Sequence, residues 1–140
     1  MLSRYVGTGL AFLALATVVA FRPAPVRYDI EGAMHTIDET TKQLQQTLED
    51  KDKTADNLTT IERLEQAFMT CKAATPPKAQ GMEGKDLEKF MAEYRTMNIE
   101  ALQMVLDMEA EVVKGKGKNA KKTLNKIIAL KGKGHGKFKD

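Results

Sequence analysis

The sequence predicts an all-α protein, an up-down-up-down antiparallel four-helix bundle. Three observations predict it. Apolar residues recur at spacings of three and four along four separate stretches. The segments between them are short and rich in charge, proline or glycine. Alternating or β-branched runs that would read as strands are missing, as are repeats at solenoid periods.

The chain opens with a segment of a different kind. Arg4 is followed by no charge until Arg22, and residues 10–20 are apolar. Val18 and Ala20 are small enough for the two positions a signal peptidase reads. Residues 1–20 therefore read as a secretory signal peptide, cleaved after Ala20. The rival reading is an uncleaved anchor. It suffers from Gly7, Thr8 and Gly9, which leave the run short of the roughly 20 apolar residues a span needs. Residues 21–27 contain Pro23 and Pro25 and read as an extended leader; the bundle is expected over 28–140.

The first helix starts near Tyr28 or Asp29, with Asp29 and Glu31 where negative charge favours a helix N-terminus. Its stripe is Ile30, Met34, Ile37, Thr41, Leu44 and Leu48. Charged residues 49–54 form a loop. The second helix, about 55–74, carries Leu58, Ile61, Leu64, Phe68 and Cys71, and Pro76-Pro77 stops it. After a loop at 78–84, the third helix, 85–113, carries Leu87, Phe90 or Met91, Tyr94, Met97, Ala101, Met104 or Val105, Met108 and Val112. Residues 115–118 make the last turn. The fourth helix starts with Asn119 as N-cap and turns Ala120, Leu124, Ile127, Ile128 and Lys131 inward. Gly132, Gly134 and Gly136 make its end a poor helix former, expected to fray.

Charge is divided along the chain. The formal net charge is +3, yet residues 21–113 sum to −7 and residues 114–140 to +9, with ten lysines in the latter. The basic segment either complements the acidic body or meets a polyanion or an anionic membrane surface. Export argues against nucleic acid. Cys71 is the only cysteine, so there is no internal disulfide, no paired-Cys zinc site and no paired-Cys motif for covalent haem attachment.

No phosphate-binding glycine loop after a strand, His-Glu-x-x-His or nucleophile elbow is present, nor the paired Glu-x-x-His of di-iron bundles. Catalysis by side chains alone is not expected, and the protein reads as a non-enzyme. The only histidines are His35 and His135. In an up-down-up-down bundle the start of the first helix and the end of the fourth share one end. Met34 lies on the inner stripe there. His135 continues the spacing of Ile127 and Lys131. A thioether and an imidazole so opposed can hold haem iron from both sides. His35 is one residue beyond Met34, roughly 100° around the helix, and is expected to face solvent.

The sequence resembles the cytochrome b562 family, soluble four-helix cytochromes. Residues 29–37, Asp-Ile-Glu-Gly-Ala-Met-His-Thr-Ile, are similar to that family's first helix, which puts its methionine haem ligand at Met34. Residues 72–78, Lys-Ala-Ala-Thr-Pro-Pro-Lys, match the close of its second helix. Residues 115–139 align without a gap to its last helix, which puts the histidine ligand at His135 and an aromatic at Phe138. The resemblance further implies that Phe90, Tyr94 and Ile127 line the haem pocket and that Lys131 and Lys139 stand where the family has arginines near the haem edge. Two stretches, the first loop and the one between Tyr94 and Gly115, are a few residues longer than the family pattern. The expectation is a periplasmic electron carrier. It holds one non-covalent haem b between Met34 and His135, works as a monomer without a stable membrane anchor after signal cleavage, and serves a redox partner the sequence does not identify. One rival is a haem-free exported bundle that docks through its basic C-terminal segment. Another is a periplasmic metal binder using methionines and histidines; the methionines of the third helix suit copper, although these sit on its core stripe.

Overall fold

The computed structural model describes residues 28–139. Those residues form four α-helices: α1 Ile30–Thr47, α2 Thr54–Ala73, α3 Gly84–Val113 and α4 Gly117–Phe138. Short 3-10 turns, Lys51–Lys53 and Pro77–Ala79, lie in the first two connections. No strand occurs among the described residues. The expected signal peptide and leader fall outside them. Each helix packs on its sequence neighbours and α4 returns to α1, where the packing is sparsest. The result is the four-helix bundle that the helical periodicity requires.

One apolar column runs through the bundle. Ile37 and Leu44 from α1, Ile61 and Leu64 from α2, Val105 and Met108 from α3, and Leu124 and Ile127 from α4 are essentially inaccessible. Val105 takes the core position that Met104 could have taken, and Met104 packs at its margin. Polar residues also enter this column, each with a partner. Thr40 and Thr41 donate their hydroxyls to the carbonyls of Thr36 and Ile37, both at 2.7 Å. Asn57 donates its amide to the Thr47 carbonyl at 3.0 Å and accepts the Thr47 hydroxyl at 2.5 Å. That carbonyl, at the end of α1, also accepts the Asp50 amide at 3.0 Å, so both of its lone pairs are used. Buried Asn57, satisfied in this way by half-buried Thr47, costs little and holds α1 to α2.

The helix ends explain how the two termini of the bundle are set. Asp29 accepts the Gly32 amide at 2.8 Å and is the N-cap of α1. Thr75-Pro76 forces extended backbone after α2, which stops at Ala73. Gly115, at φ +70°, closes α3: its amide bonds the Val112 carbonyl at 2.9 Å and that of Lys116 bonds Glu111 at 2.8 Å. This pair of bonds is a Schellman motif, which needs the left-handed conformation that glycine adopts without strain.

The fourth helix differs from expectation at both ends. It begins at Gly117, so Asn119 is inside the helix, and the N-cap is Lys116 without a side-chain bond. Gly117 allows this because α4 starts against the end of α1: a Cβ there would run into the Leu48 carbonyl oxygen and sit 3.1 Å from Glu49 Cα. At its other end α4 runs unbroken past Gly132, Gly134 and Gly136 to Phe138. Phe138 is the reason. Its ring is buried edge-on against both Phe90 and Tyr94, with centroids 5.2 Å apart in each case. Aromatic packing of this kind is worth about 0.5–1.5 kcal/mol beyond the area buried. It offsets part of the glycine penalty.

Candidate haem site

A cavity of about 280 Å³ lies where α1 begins and α4 ends. All four helices contribute to its wall, and the wall is mostly apolar. From α1 come Ile30, Met34 and Ile37; from α2, Phe68 and Cys71. Buried Pro76 follows. Tyr94, Met97 and Ala101 come from α3, and Leu130, Lys131, Gly134, His135 and Phe138 from α4, with Lys139 just beyond.

Met34 and His135 thus line one cavity from opposite ends of the chain. The Asp29 cap fixes the start of α1, and Met34 stands one turn inside it. The Phe138 anchor holds the last turn of α4 and with it His135. The Nε2 atom of His135 is buried and has no hydrogen-bond partner. An imidazole nitrogen without a partner in an apolar wall carries an uncompensated desolvation cost. A donor atom waiting for a metal centre meets that description, and so the donor set fits a haem iron held by one thioether and one imidazole. Gly134 adds room beside it, since a Cβ there would stand 3.1 Å from Met97 Sδ. His35 points away: its side chain is 73% exposed and faces Glu39.

The remaining expected pocket residues divide. Tyr94, Lys131 and Lys139 are on the wall. Phe90 is not among the lining residues; it is half-buried and supports Phe138 from behind. Ile127 is fully buried in the core below the cavity, outside its lining. Lys131 ion-pairs with Asp38 on α1, closing part of the gap between α1 and α4. Lys137 holds Glu93 on α3 at 2.7 Å, a contact that lowers the Glu93 pKa.

Several wall residues carried no chemical signal in the sequence. Phe68, Met97 and Pro76 are ordinary apolar positions until the cavity is seen. Cys71 reads as a small buried hydrophobe, and it is 2% exposed. Its thiol, however, lies 3.8 Å from Met34 Sδ and donates to it. Burial pushes that thiol up to about 11, so it keeps its proton at neutral pH. Tyr94 donates its hydroxyl to the Cys71 carbonyl at 2.6 Å. Burial, more than the neighbouring thiol, raises the Tyr94 pKa.

Among the described residues no group of three or more His, Cys, Asp or Glu side chains could hold a metal ion. No helix among them is long and apolar enough to cross a membrane. A search of curated proteins finds no match to the chain. The sequence model of one family, cytochrome b562, matches residues 29–139, which is nearly the whole of the described bundle. With the four-helix fold and that match over most of its length, the chain belongs to the cytochrome b562 family.

Proposed function

We propose that this protein is an exported electron carrier, not an enzyme, that binds one non-covalent haem b between Met34 and His135. Family membership points to a haem-binding electron carrier. The observation that supports the ligand assignment is the buried, unpartnered Nε2 of His135 on the same cavity as Met34. Bound there, haem would supply a one-electron iron couple, and Met/His ligation favours electron transfer at a raised potential.

The chain's own part is to bind, orient and exclude water. Ile30, Ile37, Phe68 and Met97 offer the apolar surface on which a flat macrocycle gains burial energy. Tyr94 and Phe138 close the cavity on the α3–α4 side. If Met34 and His135 both held the iron, no site would stay open for oxygen, which suits a carrier better than an oxygenase. Lys139 stands at the rim, able to meet haem propionates or acidic groups of a redox partner, and Lys131 beside it could do so only by giving up its ion pair with Asp38. Export to the periplasm rests on residues 1–20 as a signal peptide and on the family. Action as a monomer is part of the same reading.

The rival of a haem-free bundle docking through its basic segment draws less support. Lys121, Lys131 and Lys137 of α4 are engaged inside the molecule with Glu49, Asp38 and Glu93. The lysines of α4 thus complement the acidic body at three places. An absorption spectrum of protein purified from an exporting host, oxidised and then reduced, separates the two readings. A sharp Soret band with resolved low-spin reduced bands is expected. Colourless protein that also refuses added haem would sink the cytochrome reading and leave the fold standing.

A further inference from the structure

We infer that Cys71 is a positioning residue for the Met34 thioether: its S–H donates to one lone pair of Met34 Sδ and leaves the other directed at the haem iron. This rests on the haem reading above. The contact joins α2 to α1, 37 residues apart, at 3.8 Å between the two sulfurs. Both side chains are on the wall of the cavity that also holds the unpartnered His135 nitrogen.

Cys71 is well placed to act as a fixed donor. Its residue is 2% exposed, so water does not compete for the thiol. Its backbone carbonyl is clamped twice, by the Tyr94 hydroxyl at 2.6 Å and by the Ala74 amide at 3.1 Å. The thiol therefore has a rigid base in the last turn of α2. A methionine side chain, by contrast, has three rotatable bonds and no preferred direction of its own. Its thioether sulfur has two lone pairs. With one of them engaged by the thiol, the sulfur presents a single face, and the ligand needs less ordering when iron binds.

The bond has an electronic consequence as well. A hydrogen bond to a ligand sulfur draws electron density from it and weakens its donation to the metal. The oxidised iron needs that donation more than the reduced iron does. Cys71 therefore favours the reduced state and raises the potential, through the hydrogen-bonding lever by which proteins tune haem.

Two substitutions separate this role from packing. Cys71→Val keeps an apolar side chain of similar size and removes the donor; Cys71→Ser keeps a donor and loses apolar bulk. Haem-loaded protein is read by its reduction potential and by the sulfur-to-iron charge-transfer band of the oxidised form. Haem-free protein is read by the NMR shift of the Met34 methyl group. The expected result is a lower potential, a moved band and a moved methyl signal in Cys71→Val, with all three held near wild type in Cys71→Ser. The opposite pattern, Cys71→Val like wild type and Cys71→Ser displaced, would overturn the inference and make Cys71 plain packing. Haem that resists extraction into acidified organic solvent would also overturn it, since the thiol would then be consumed in a covalent link. If wild-type protein forms no six-coordinate haem, the haem reading itself fails and the ligand role falls with it. The methyl signal in haem-free protein then still reports whether the sulfur–sulfur bond exists.

Discussion

Gly132 and Gly136 flank the proposed histidine ligand, and replacing both with alanine tests how much stability the end of α4 has given up. Both positions are exposed, and a Cβ at either would meet nothing within 4 Å. The substitutions therefore add no clash. Alanine is favoured over glycine in a helix interior by about 0.8–1.0 kcal/mol per residue. The double variant should gain roughly 1.5–2 kcal/mol, with little coupling between two exposed methyl groups. For a domain of this size that corresponds to a rise of roughly 6–8 °C in Tm. Urea and thermal unfolding of the haem-free protein, followed by helical circular dichroism, measure it. Gly117→Ala is the matched control of opposite sign. There the new methyl runs into the Leu48 carbonyl, backbone that cannot swing aside, and overpacking of this kind costs about 1–3 kcal/mol. Loss of stability in the Gly132/Gly136 double variant, or none in Gly117→Ala, would refute the reasoning.

Tyr94→Phe removes a buried hydroxyl from the Cys71 carbonyl, which keeps the Ala74 amide as a second donor, so the loss should be about 1 kcal/mol in urea unfolding. A loss above roughly 3 kcal/mol would mean the carbonyl is left bare. Glu65→Gln should stabilise the protein at neutral pH. Burial, then Glu109 and Glu62, raise the Glu65 pKa, and its Oε1 is buried without a partner. The folded state thus holds that proton more tightly than the unfolded chain. Its stabilising contribution is present below the unfolded carboxylate pKa and is lost as pH rises through the raised folded value. Glu65 is only partly buried, so solvent still screens it and the gain should stay below about 1 kcal/mol. It should vanish as the pH falls below the usual carboxylate range; a gain that persists there would contradict the assignment.

The spacing of apolar residues was enough to place all four helices, because a helix that buries one face must repeat near 3.6 residues. The ends were harder. Asn119 has the side chain of an N-cap, yet α4 starts two residues earlier because Gly117 can approach the Leu48 carbonyl, a tertiary contact with no local signature. The run of glycines near His135 reads as a fraying end. Phe138 packs against Phe90 and Tyr94 and carries the helix through it, which only the contact between α3 and α4 reveals. Asn57 and Thr60 interrupt the apolar stripe of α2 and are still buried, since each finds a polar partner on α1. At the site, the bundle topology alone brings Met34 and His135 to one end. The sulfur pair of Cys71 and Met34 was not legible, because it depends on the rotation of α2 against α1 and not on any spacing within a helix.

The most direct test of the central claim is a haem titration of wild-type protein beside Met34→Ala and His135→Ala, read by absorption in both oxidation states. The expected result is a stoichiometric six-coordinate low-spin spectrum for wild type. Each variant should give a five-coordinate or mixed spectrum, with weaker binding. His135→Ala should lose more, because an imidazole binds both oxidation states of iron more firmly than a thioether does. Wild-type spectra from both variants would contradict the assignment of Met34 and His135 as the ligands.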